Sequence, residues 1–89
     1  MARREHVAEV IDGNTFKTEA HTVRLEGVEA PTLAQPGGLE ARSWLEWLLE
    51  TGKIVTIEEK ATDAEGGIIA QVWINSTDVN GTMREFLSR

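Results

Sequence analysis

At 89 residues the chain has room for one small domain that buries roughly 60 to 65% of its unfolded surface around a single core. Hydrophobic residues at 40% and charged residues at 27% fit a folded globular protein rather than a disordered one, and the lack of cysteine excludes disulfides, thiolate zinc sites and a cysteine nucleophile. Nine basic residues against fifteen acidic ones give a net charge of −6, which opposes non-specific attraction to a phosphate backbone.

Residues 1–5, with the pair Arg3-Arg4, are expected to form a flexible tail. From Glu5 to Gly27 the chain reads as a β-meander. Val7, Glu9 and Ile11 are expected to share one face of the first strand, with His6, Ala8 and Val10 on the other, and Asp12-Gly13-Asn14 tolerates a tight turn. Thr15–Glu19 and His21–Leu25 then read as a hairpin closed near Glu19-Ala20, without a strong turn signature. Pro31 to Gly38 breaks regular structure and opens a helix from Leu39 to Glu50. In it Ala41, Trp44, Leu45 and Leu48 fall at i, i+3, i+4 and i+7, and Gly52 stands where a C-terminal cap is expected.

Lys53–Lys60 alternates as a strand, Ala61–Gly67 is a polar turn, and Ile68–Ile74 reads as a fully buried strand with Trp73 in the core. Asn75-Ser76-Thr77-Asp78 offers several N-caps for a last helix, Val79 to Leu87, in which Gly81 costs up to about 1 kcal/mol relative to alanine. The order β-β-β-α-β-β-α predicts a β-rich α+β fold, an OB-like five-stranded β-barrel with two helices. It is read as a single domain over residues 1–89. No apolar run approaches the length of a membrane span, and no apolar h-region follows Arg3-Arg4, so a cytoplasmic location without membrane contact is expected.

Five motifs stand in order along this frame: Val10-Ile11-Asp12-Gly13-Asn14-Thr15-Phe16, Arg24-Leu25 with Val28-Glu29-Ala30-Pro31, Pro36-Gly37 with Glu40-Ala41, Asp63 to Gly67, and Val79-Asn80. In these residues the chain resembles the staphylococcal nuclease family. Active members hydrolyse DNA or RNA phosphodiesters with calcium. Two carboxylates hold the ion, a glutamate activates the attacking water, and two arginines neutralise the phosphate.

Carried over by position, the resemblance implies departures at several of these roles. The first metal carboxylate becomes Asn14, which has no charge, and the second becomes Glu29, one methylene longer. The base becomes Thr32, whose hydroxyl does not accept a proton near neutral pH. Arg24 retains one arginine, and Gly67 stands where the other would be. Loss of a positioned base costs about 10² to 10⁴ in rate and loss of one charge-stabilising donor about 10² to 10³. The implied outcome is a binding or interaction module with no intact catalytic residue and no cofactor, its partner a protein rather than nucleic acid. The alternative is a residual metal-dependent phosphodiesterase with weak Ca²⁺ binding.

Simpler roles are expected for most of the remaining candidates. Arg24 is expected to pair with Glu29, Glu26 or Asp12, Asn14 to serve as a turn residue, and Asp63 and Glu65 to be solvated. His6 and His21 are read as surface residues, and Trp47, at the edge of the helical stripe, as partly buried against the barrel, with a contact surface as the alternative. Asn75-Ser76-Thr77 and Asn80-Gly81-Thr82 satisfy the glycosylation pattern, but helix capping accounts for them.

Overall fold

A computed structural model describes residues 2–89. Its elements are β1 (Ala2–Asp12), β2 (Thr15–Thr18), β3 (Thr22–Leu25), α1 (Gly38–Leu49), β4 (Ile54–Thr62), β5 (Ile68–Ile74), β6 (Thr77–Asp78) and α2 (Val79–Leu87). The sheet runs β3-β2-β1-β4-β5-β6, and a parallel pairing of β3 with β5 closes the first five strands into a barrel. This is the predicted OB-like barrel with two helices, to which the two-residue β6 is added.

Two expectations about β1 are corrected. Ala2 to Glu5 are not a tail, because they pair with Glu58 to Val55 of β4. The expected alternation of faces also fails. The pairing steps from Val7↔Thr18 to Glu9↔Lys17 and from Val10↔Phe16 to Asp12↔Thr15, so Ala8 and Ile11 are each an extra residue on β1. A bulge resets the two-residue period, which is why Val7 and Val10 both point inward while Glu9 stays exposed.

The hairpin between β2 and β3 takes its turn signal from Thr18. The Thr18 hydroxyl accepts the amides of Ala20 and His21, a side-chain substitute for a glycine turn. The core is built by Phe16, Val23, Leu25, Val55, Ile57, Val72 and, from the helices, Leu45, Leu49, Val79 and Met83. β5 is not fully buried. Ile68, Ala70, Val72 and Ile74 face inward, whereas Trp73 lies half-buried on the other face beside Thr56 and Asp78 and is not core.

α1 is capped by Gly37 at its start and by Glu50 at its end, whose φ of 54° and amide bond to the Glu46 carbonyl make the cap two residues ahead of Gly52. Its buried stripe is Ala41, Leu45 and Leu49, one row over from the predicted one, with Trp44 and Leu48 only partly buried. The helix comes so close to the β1–β2 turn that a Cβ on Gly13 would lie 2.6 Å from that of Ala41. Asp78 caps α2 by accepting the Gly81 amide at 2.9 Å. Among the described residues no helix is long and apolar enough to cross a membrane.

Candidate functional site

The β1–β2 turn, the end of β3 and the segment that follows form a cleft of about 560 Å³ lined by the side chains of Asn14, Arg24, Glu26 and Glu29. Its shape follows from local bonds. The Asp12 carboxylate accepts the Asn14 amide at 3.0 Å, and the Asn14 carbonyl accepts the Leu25 amide at 2.8 Å, which locks the turn to β3. Buried Leu25 and Val28 pin the next segment at both ends. Its backbone is also held from behind. Asn80 is fully buried, accepts the Val72 amide, and donates to the carbonyls of Ala70 and Glu26 at 3.0 and 2.9 Å. A buried amide with these bonds in place is a rigid strut between α2 and the cleft.

Asn14, Arg24 and Glu29 are thus brought together, and Glu26 joins them as a lining residue not singled out beforehand as a site residue. Arg24 stands exposed on β3, opposite Thr15 and Ile69, with no acid across either ladder. The expected ion pairs with Glu29, Glu26 or Asp12 are absent: among the described residues Arg24 makes none within 4 Å. Asn14 is fully engaged. Its Nδ2 donates to the Val28 carbonyl at 2.9 Å and its Oδ1 accepts from the Thr15 hydroxyl at 3.0 Å.

That donor set fits a calcium ion poorly. A hard cation takes about six to eight oxygens, preferably charged, yet Asn14 offers a neutral one, and its Oδ1 and the Val28 carbonyl beside it each already accept a hydrogen bond. Among the described residues, no three His, Asp or Glu side chains gather closely enough to hold a metal.

Thr32 and Gly67 do not line this cleft. Thr32 is exposed in the turn before α1, where its amide donates to Gln35 Oε1 at 2.8 Å and its carbonyl accepts the Gln35 amide at 3.0 Å. Gly67 lines a second cavity, of about 470 Å³, with His21, Asp63 and Glu65. The Asp63 carboxylate accepts the amides of Glu65 and Gly67, at 2.9 and 2.8 Å. A Cβ at Gly67 would lie 2.7 Å from Asp63 Oδ2 and 3.1 Å from the Thr22 carbonyl, so any side chain there has to displace the Asp63 carboxylate.

His21 is not a plain surface residue either. Its Nδ1 lies 2.9 Å from Glu5 Oε2 and its Nε2 lies 3.2 Å from Arg3 Nη1, while Arg3 also donates to Glu59 at 2.7 Å. Both imidazole nitrogens are therefore engaged within the fold. Burial disfavours the charge of Glu5, but hydrogen bonds from Thr18 and His21, with the charges of His21 and Arg3, outweigh it and hold its carboxyl below the usual range. The signal in the sequence is that Arg3, Glu5 and Val7 alternate onto one face of β1, which places the two charged residues side by side at its start.

The model of the staphylococcal nuclease homologue family matches residues 22–85, from β3 into α2. The match takes in Arg24, Glu29, Thr32 and Gly67; Asn14 precedes it. No curated protein matches the chain.

Proposed function

The chain belongs to the staphylococcal nuclease homologue family, and on that premise we propose that it is a non-catalytic binding module whose partner is a protein rather than a nucleic acid, acting in the cytoplasm without a bound cofactor. The observation that carries this reading is the separation of the family's catalytic positions. Arg24 and Glu29 share a cleft, but Thr32 lies on an outer turn and Gly67 in another cavity beside a carboxylate. Hydrolysis needs base and cation gathered around one phosphorus. Asn14, spent on Val28 and Thr15, adds no charge for a metal.

A second reading, residual phosphodiesterase activity, draws on Glu26 and Glu29, two carboxylates in the cleft with Arg24. The test is hydrolysis of single-stranded and duplex DNA and RNA with and without calcium. The expected result is no metal-stimulated turnover by the intact chain. Turnover that Arg24→Ala abolishes would establish the second reading in place of the first.

A further inference from the structure

The outer quarter of α1 carries the most exposed apolar surface described. Trp47 is 69% and Leu39 64% exposed, so the expected burial of Trp47 against the barrel is not found. Together with Ser43 and Trp44 they wall a groove of about 460 Å³. The spacing of Leu39, Ser43 and Trp47 places them in one row along the helix. The groove is preorganised. Trp44 stacks on Phe86 of α2, with ring centroids 4.6 Å apart and planes 6° from parallel, and the Trp47 ring lies 5.3 Å from that of Trp44. An aromatic wall fixed this way loses little freedom when a ligand meets it.

The charge that lines the groove is negative. Glu40 lines it, and exposed Glu46 and Glu50 flank Trp47 one residue before and three after. None of the three forms an ion pair among the described residues. The one cation of α1, Arg42, is not among the lining residues. Like charge opposes a second copy of this face, and a net charge of −6 opposes anionic lipid and nucleic acid. Resting on the binding-module reading, we propose that the groove docks a basic, apolar segment of a partner protein, with an apolar side chain seated between Leu39 and Trp47 and lysine or arginine against Glu40, Glu46 and Glu50.

The test uses the full chain and two synthetic amphipathic peptides of identical pattern, one of leucine and lysine, the other of leucine and glutamate. The expected result is saturable binding of the lysine peptide alone. Trp47→Ser and Leu39→Ser, both at exposed positions, should each weaken it about tenfold or more, and Glu40→Gln with Glu46→Gln should weaken it and flatten its salt dependence. Several results overturn the proposal: no binding, equal binding of the two peptides, binding indifferent to both serine variants, dimerisation lost on Trp47→Ser, or capture by phosphatidylserine vesicles through Trp47. Such failure with no calcium-stimulated hydrolysis refutes the groove alone. Hydrolysis abolished by Arg24→Ala refutes the binding-module reading whatever Trp47 does.

Discussion

The cleft at Asn14 and the groove along α1 are built in opposite ways, although Gly13, next to Asn14, packs against Ala41, next to Glu40 of the groove. In the cleft, the lining is largely polar, and the side chain at the turn is tied into the backbone: Asn14 holds Val28, while Asn80 holds Glu26 from behind. In the groove, apolar side chains that could have been buried are presented to solvent by a rigid helix, with Trp44 anchored on Phe86. A family position is thus maintained by structure in one region, and a surface with no structural duty is left available in the other. Replacing Asn14 or Asn80, which hold the cleft in shape, should therefore cost stability, and replacing the exposed groove residues Leu39 and Trp47 should cost almost none.

The largest effect is expected at Asn80. Asn80→Leu strands the buried Val72 amide and removes one donor each from the carbonyls of Ala70 and Glu26, which keep the Glu26 amide and Arg84 Nη1, and this should lower the unfolding free energy by about 2 to 4 kcal/mol in urea titration. A loss below about 1 kcal/mol would break the contrast. Next comes Gly67→Arg, which drives a Cβ against Asp63 and the Thr22 carbonyl and should cost about 1 to 3 kcal/mol. The combination with Asn14→Asp and Thr32→Glu, which recreates the family's residues, should stay inactive because Thr32 does not line the cleft.

A smaller effect is expected from acid. Asp78 is held below the usual carboxylate range chiefly by the Gly81 amide, against part burial, and Glu5 is lowered as described above. A lowered folded pKa adds stability that is complete above the unfolded value and lost as pH falls through the folded one. Thermal stability should be level above about pH 5 and decline below the unfolded values of 4.5 and 3.8. Glu5→Gln should flatten the decline. The smallest effect belongs to Trp47→Ser, within about 0.5 kcal/mol of the parent because the side chain is largely solvated.

Much of the fold was legible in the sequence. Helical spacing located α1 to within a residue at each end and α2 at its observed bounds, and the order of strands and turns pointed to the barrel. Register was not legible. Ala8 and Ile11 carry no mark of a bulge, since a bulge is set by the partner strand, and the apolar run of β5 conceals an outward Trp73. For the candidate site, Asn14, Arg24 and Glu29 could be gathered by their motifs, which sit on turns and strands that meet. Thr32 and Gly67 could not be placed, because loop geometry depends on contacts such as Gln35 on Thr32 and Asp63 on Gly67. Between burial and a contact surface, the sequence could not decide for Trp47, because an apolar residue at the edge of a helical stripe has the same spacing whether a barrel covers it or solvent does.

The central claim is that the cleft no longer holds metal and phosphate. It is tested most directly by amide-resolved NMR of the full chain titrated with calcium and then with a single-stranded oligonucleotide. The account predicts no saturable shift of the Asn14, Arg24, Glu26 and Glu29 amides under either titration. Calcium-dependent, saturable shifts at those residues, strengthened when the oligonucleotide is added, would contradict it.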